Sequence, residues 1–252
     1  MPKTEPIDYP AKDARHRAEP ATLTVLTRVR ELIVTGQIAA GTRLTAETIA
    51  KEQGISRTPV RSALAVLTAE GLASYHINRG YTVREINLRD ILDAIETRAV
   101  LEAKGCGLSV DYGWIPSELE RLQDAVEEGT AIIAGGKWSE EIEHKWYQTN
   151  RAFHSLIIRV SRNNALRNAI RMTLVYPVFG DIARLCPAVA QYVPQRHRKI
   201  PDVPPEYIVA SQSDHEAILE AIRGEDAEHA EQLMLAHILK TKERLTAIAT
   251  RR

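Results

Sequence analysis

Cysteines and long apolar runs are scarce in this sequence, and each scarcity argues against a class of protein. Two cysteines in 252 residues cannot form the disulfide framework of a small secreted fold. We expect Cys106 and Cys186 to be reduced, with a redox-sensing pair as the alternative. No apolar run approaches the ~20 residues of a membrane span, and residues 1–20 lack the apolar core of a secretion signal. We therefore expect a cytoplasmic protein without a membrane partner.

The sequence also lacks an excess of either charge, because 33 basic and 33 acidic residues give a formal net charge of zero. The distribution is less even than the total. Residues 1–87 carry 12 Lys and Arg against 9 Asp and Glu, a net charge of +3, and the remainder therefore carries −3. This mild asymmetry is compatible with a DNA-binding head on an acidic body but does not establish one.

The first third of the chain has the pattern of a small mixed domain behind an irregular arm at residues 1–20. Apolar residues recur at helical spacing, and glycines follow the helices where a left-handed residue ends them. Two short strands follow, joined by a turn over residues 77–80. The predicted elements are helices over about 22–35, 46–53 and 57–70 and strands over 72–76 and 81–84. Three helices and a β-hairpin over residues 21–86 predict a winged helix-turn-helix.

Residues 88–250 show helical periodicity throughout and predict an all-α antiparallel helical bundle, so the whole chain is mainly α. Ser117 and Ser213 each precede a Glu by three residues and fit capping boxes. Asp226 is placed to cap the last helix, and a proline-rich stretch over 186–207 predicts a long loop that covers a pocket. The predicted helices span about 88–109, 116–134, 138–160, 164–184, 211–223 and 226–249.

The third predicted helix carries the features of a DNA-recognition helix. Ser56 is its expected N-cap. Arg57 and Arg61 lie four residues apart on one face at its N-terminal end, where arginine can donate two hydrogen bonds to guanine. Ser56 and Thr58 can contact phosphate, and Arg79 with Gly80 at the hairpin tip can approach the backbone or minor groove. The alternative is a helical hairpin whose exposed arginines have no DNA role.

Three histidines in the second half have the spacing of a metal site. Asn150 and His154 lie four residues apart on one helical face. His215 and His237 lie on two consecutive helices whose short connection makes them antiparallel neighbours. Three histidines and one oxygen suit Zn, Ni, Mn or Fe. The alternative is that these histidines are ordinary core or surface residues, which is how we interpret His16, His144, His197 and His229.

The recognition-helix segment resembles the GntR family of bacterial repressors. The similarity rests on residues 54–64, GISRTPVRSAL, with EGL at 70–72 and GYTV at 80–83. In that family the arginines matching Arg57 and Arg61 contact operator bases or nearby phosphates, and the glycine matching Gly80 approaches the minor groove. The resemblance therefore implies double-stranded operator DNA as a partner.

Residues 88–247 resemble the FCD effector-binding domain of FadR-subfamily regulators, and about six helices favour the VanR-like branch. In metal-containing members, an Asp or Asn four residues before the first His joins three histidines around a divalent ion. The resemblance assigns these roles to Asn150, His154, His215 and His237. We expect Arg98, and less so Arg171, to clamp a carboxylate effector. An Arg98–Glu102 pair within one helix is the alternative.

The combined features predict a homodimeric, ligand-responsive repressor that a small organic acid, bound near a metal, releases from its operator. Two-fold symmetry follows from the spacing of operator half-sites. A metal-dependent hydrolase fused to a DNA-binding head is the alternative, although no general base or catalytic motif accompanies the histidines. A third alternative is an architectural DNA-binding protein without a ligand.

Overall fold

The computed structural model describes residues 18–173, 186–192 and 199–250. The chain separates into two compact units, of which the first ends at Glu85 and the second begins at Ile86. Most of the predicted N-terminal arm, Pro177, Pro194, His16 and His197 lie outside the described residues. No helix in the described ranges is both long enough and apolar enough to cross a membrane.

The first unit contains three helices and a three-stranded antiparallel sheet, which confirms the predicted winged helix-turn-helix. The elements are α1 (Ala18–Val34), β1 (Arg43–Leu44), α2 (Ala46–Gln53), α3 (Arg57–Ala69), β2 (Ala73–His76) and β3 (Gly80–Val83). The central strand β3 pairs with β1 on one side and β2 on the other. The short β1 was not predicted, because a two-residue strand has no detectable period.

Local capping explains where the helices of this unit begin and end. Thr45 caps α2 by accepting a hydrogen bond from the Thr48 amide, and Gly54 ends that helix in the left-handed conformation, with φ of 65°. Ser56 occupies the N-cap position of α3, but its side chain makes no capping hydrogen bond, so that part of the prediction is wrong. The pair Arg30–Glu70, at 2.6 Å, joins α1 to the end of α3.

All regular secondary structure in the described part of the second unit is helical, as predicted. Its helices are α4 (Leu88–Tyr112), α5 (Pro116–Ala134), α6 (Glu140–Val160), α7 (Asn164–Thr173), α8 (Pro187–Ala190), α9 (Glu206–Arg223) and α10 (Ala227–Thr250). The long α4 and α10 pack against each other along one core, which also includes Phe153 and Met234.

Two predicted capping boxes in this unit are wrong, the predicted loop over 186–207 is helical in part, and one predicted cap is confirmed. Helix α9 begins at Glu206 after Pro205, so Ser213 lies inside the helix instead of capping it. Ser117 likewise follows Pro116, which is the first residue of α5. The expected loop over 186–207 contains α8. Asp226 does cap α10, accepting from the His229 amide at 3.0 Å.

Candidate functional site

The predicted DNA-reading side chains all lie on the surface of the first unit. Arg57, Thr58 and Arg61 are exposed in the first turns of α3, whereas Val60, Ala63 and Leu64 of the same helix are buried in the core. This division follows from helical spacing, because the apolar stripe packs inward and leaves the arginine face to solvent. The exposed face can therefore meet a polyanion without any rearrangement of the core.

The hairpin places its tip residues on the surface as well. Arg79 is exposed, and Gly80 adopts φ of 77°. Asn78 also has a positive φ, 65°, which is a conformation that asparagine tolerates better than most residues. The neighbouring Ile77 has 81% of its surface exposed. The tip is thus a tight turn that presents a guanidinium next to unobstructed backbone.

In the second unit, the structure brings together the three predicted histidines from three different helices. His154 lies on α6, His215 on α9 and His237 on α10, and all three are buried. One ligand atom from each lies within 4.8 Å of the others. The ring of His215 is stacked at 4.3 Å from that of Phe153, which fixes its orientation. The sequence prediction that these residues meet is therefore supported by their positions.

Two carboxylates orient two of the imidazoles. The Nδ1 atom of His154 lies 2.6 Å from Glu102, and that of His237 lies 3.2 Å from Asp214. Since an ionised carboxylate only accepts, each Nδ1 carries the proton and donates. The Nε2 atoms of His154 and His237, on the sides of the rings away from these carboxylates, face each other at 3.3 Å.

Burial favours the neutral form of two of the three imidazoles, those of His154 and His215. Loss of solvent lowers the pKa of His154 to about 4, although Glu102 partly opposes the shift. Burial and the neighbouring imidazoles lower the pKa of His215 well below its ordinary value. The Nε2 atom of His215 is buried and has no hydrogen-bond partner among the described residues. Three buried imidazoles thus bring ring nitrogens to one place.

Arg98 is buried and forms an ion pair with Glu102 at 2.5 Å on the same helix. The alternative interpretation of this arginine, an intrahelical pair, is therefore what the structure contains. Burial raises the pKa of Glu102, but the charge of Arg98 and the contact with His154 outweigh that effect and lower it overall. Arg98 nevertheless also lines the cavity next to the histidines.

A cavity of about 160 Å³ opens beside the cluster. Asn150, His154 and His237 all line it. Arg171 does not line the cavity: it lies exposed near the end of α7, so the structure does not bring it to the histidines.

Several residues that line the cavity were not predicted from the sequence, although the helical spacing of most of them relative to the histidines could have indicated them. Trp146 and Asn150 precede His154 by eight and four residues on one face of α6. Lys240 and Arg244 follow His237 by three and seven residues on α10. The missed lining residues are Trp146, Tyr147, Tyr207, Ser211, Asp214, Lys240, Thr241 and Arg244. Tyr207 had no such signal, because its segment was expected to be a loop.

Known proteins resemble both units of the chain. Residues 21–83 match the family described as bacterial regulatory proteins, gntR family, and residues 93–240 match the FCD domain. The HTH-type transcriptional regulator YdhC of Bacillus subtilis is 26% identical over 218 residues, covering 86% of this chain and 88% of that protein. LutR of the same species is 24% identical, covering 85% and 96%.

Among solved structures, McbR/YncC of Escherichia coli has a TM-score of 0.60 at 21% identity, covering 90% of this chain and 97% of that one. This likeness supports the fold. The relatives are transcription regulators, and nothing in them or in the described residues supports the hydrolase alternative. The two matched domains, in this order and over most of the chain, identify it as a member of the GntR family of bacterial transcription regulators that carries an FCD domain.

Proposed function

We propose that this regulator is a homodimeric repressor released from its operator by a small carboxylate, which binds beside a divalent metal in the FCD domain. The observation that carries the proposal is the arrangement of Nε2 atoms from His154, His215 and His237. Two of them face each other at 3.3 Å, and the third is buried without a hydrogen-bond partner among the described residues. A cation among these ring nitrogens would give the buried Nε2 of His215 the partner that it lacks.

The donor set fits a transition metal or zinc. Nitrogen ligands about 2.0–2.1 Å from a tetrahedral ion lie about 3.3–3.4 Å apart, which is the separation between His154 and His237. Carboxylates on the Nδ1 atoms, here Glu102 and Asp214, are the usual outer partners of metal-bound histidines. Asn150 lines the same cavity and can add an oxygen. When bound, the ion would supply open coordination positions for an anion.

Two cations that line the cavity support a carboxylate as the effector. Arg98 and Lys240 both line the cavity and carry positive charge. Each is already paired with a carboxylate of the protein, Glu102 at 2.5 Å and Asp214 at 2.6 Å. An incoming carboxylate would share these cations. Because a ligand that binds the two DNA-affinity states unequally shifts their equilibrium, effector binding would weaken operator affinity by the same linkage.

The DNA-binding part of the proposal is tested on duplexes selected from a random library by the full-length protein. Fluorescence anisotropy then compares the wild type with Arg57→Ala and Arg61→Ala. Loss of a bidentate base contact costs about 1–3 kcal/mol, so we expect a roughly 5- to 150-fold weaker Kd. Arg89→Ala removes an equally exposed arginine from the second unit and serves as the control. Unchanged affinity in both α3 variants would refute the assignment of that helix.

The sign of regulation is tested with a reporter gene placed behind the selected operator. We expect the full chain to reduce transcription and a carboxylate mixture to restore it. Higher transcription in the presence of the chain would instead make it an activator. The dimeric state is tested by sedimentation at micromolar concentration, where a mass near twice 28.2 kDa is expected. A monomeric mass at that concentration would contradict the proposed dimer.

A further inference from the structure

The size of the cavity beside the histidines limits what can enter it. Its volume is about 160 Å³, and an engineered protein cavity of about 150 Å³ is known to admit one benzene molecule. Some lining residues, such as His154 and Ile238, are buried, whereas others, such as Ala210 and Lys240, are exposed. A ligand of this site therefore has roughly the size of one six-membered ring and keeps one end near solvent.

One wall of the cavity is formed by aromatic rings. Trp146 and Tyr147 of α6 and Tyr207 of α9 line it, although only 5% of the chain is aromatic. The Trp146 and Tyr147 rings meet edge to face, with centroids 5.2 Å apart. Trp146 is almost fully buried, whereas the two tyrosines are partly exposed. The tyrosines thus offer ring surface that the protein core does not cover.

Arg244 extends this wall. Its guanidinium lies 4.0 Å from the centre of the Tyr207 ring, and it has no carboxylate partner among the described residues. A guanidinium plane stacks on aromatic faces as readily as it binds anions. Ile208 and Ile238, both buried, also line the cavity and present apolar surface. Flat ring surface and the edge of a guanidinium plane suit a planar, electron-rich ligand better than a flexible polyhydroxylated one.

We infer that the effector is a carboxylate carried on a single planar ring, with the ring against Tyr147, Tyr207 and Arg244 and the carboxylate toward the histidines. This inference rests on the proposed function and specifies its ligand class. Arg244 and Tyr207 are specificity residues: they select the shape of the ring-bearing part, while the histidine end selects the acid.

Isothermal titration with three probes tests the inference on the full-length chain supplied with one equivalent of Zn²⁺. Benzoate has the planar ring, cyclohexanecarboxylate has a ring of similar size that is not planar, and acetate has no ring. Aromatic pairs contribute about 0.5–1.5 kcal/mol beyond buried area. We therefore expect benzoate to bind about 2- to 12-fold more tightly than cyclohexanecarboxylate, and acetate to bind more weakly than both.

Two matched variants test whether Tyr207 is responsible for the preference for benzoate. Tyr207→Leu should remove the advantage of benzoate over cyclohexanecarboxylate, whereas Tyr112→Leu, which alters a tyrosine exposed at the end of α4, should keep it. A second readout is taken on the wild-type protein, and a variant is used only to assign its resonances. Benzoate should shift the indole N–H resonance of Trp146, assigned with Trp146→Phe, more than that of Trp114.

The results of these experiments distinguish this inference from the proposed function on which it rests. Equal affinity for benzoate and cyclohexanecarboxylate, or tighter binding of acetate, would overturn the planar-ring inference and leave the carboxylate effector in place. A larger shift at Trp114 than at Trp146 would overturn it as well. If none of the three carboxylates binds, the carboxylate effector of the proposed function fails together with it.

Discussion

Replacement of Glu102 by Ala should destabilise the protein far more than replacement of an exposed glutamate on the same helix. Glu102 is 2% exposed, accepts from Arg98 at 2.5 Å and lies 2.6 Å from His154. Its removal takes a carboxylate away from the buried Arg98 guanidinium and from the His154 ring. Breaking a buried ion pair in this way costs about 3–5 kcal/mol.

Glu96 provides the matched control. It also lies on α4 and also pairs with a cation, Lys242, at 2.5 Å, but the side chain of Glu96 is 57% exposed. Exposed ion pairs contribute about 0–1 kcal/mol, so Glu96→Ala should change the free energy of unfolding by no more than that.

Urea unfolding with a metal chelator present measures both variants, because the chelator removes any contribution from bound metal. A double variant, Arg98→Met with Glu102→Leu, removes both charges and should recover much of the lost stability. If Glu102→Ala costs less than about 1 kcal/mol, or no more than Glu96→Ala, the buried network does not have the role assigned to it.

Three further outcomes follow from local geometry. Gly129→Ala should lower the free energy of unfolding by about 1–2 kcal/mol in urea titrations: its new Cβ would clash with the buried Gln212 amide, and this overpacking outweighs the gain in helix propensity. Asn87→Ala should cost about 1 kcal/mol in thermal unfolding, since Asn87 forms a capping box with the third residue of α4; no change would show that the cap is not needed. With a metal chelator present, the free energy of unfolding should fall as the pH is lowered from 6.5 to about 4. Burial lowers the pKa of His154 to about 4 in the folded state, so the unfolded state binds more protons in this range. The loss from this group is up to about 3 kcal/mol; His229→Gln, at an exposed position, should leave the profile unchanged, and a flat profile in the wild type would contradict a buried neutral His154.

The elements with a strong period were predicted well, and the weaker signals were not. Helix α6 was expected at 138–160 and spans Glu140–Val160, because a long amphipathic stripe dominates its sequence. Helix α9 was expected from residue 211 but begins at Glu206. The prolines before it suggested a loop, although Pro205 is well suited to the position just before a helix.

Capping motifs gave mixed results for a simple reason. The Ser-x-x-Glu pattern at Ser117 and Ser213 lies inside helices here, so the pattern cannot locate a helix start by itself. The prediction that Asp226 caps the last helix is confirmed, because a glycine-containing turn also indicated the start of that helix.

The meeting of the three histidines could be predicted, but the groups around them could not. Antiparallel neighbours bring His215 and His237 together from chain order alone, and helical spacing adds Asn150 to His154. The contact between Glu102 and His154 joins α4 to α6 across 52 residues, so only the packed structure reveals it. The same holds for Tyr207 and its stacking on Arg244.

Elemental analysis of the purified chain tests the central claim most directly. Wild type is compared with His154→Ala/His215→Ala and with His144→Ala/His229→Ala, which alters two exposed histidines. The account predicts about one divalent transition metal or zinc ion per chain in wild type and in the exposed-histidine control, and none in the cluster variant. Equal metal content in all three proteins, or no metal after dialysis against Zn²⁺, would contradict a metal site at this cluster.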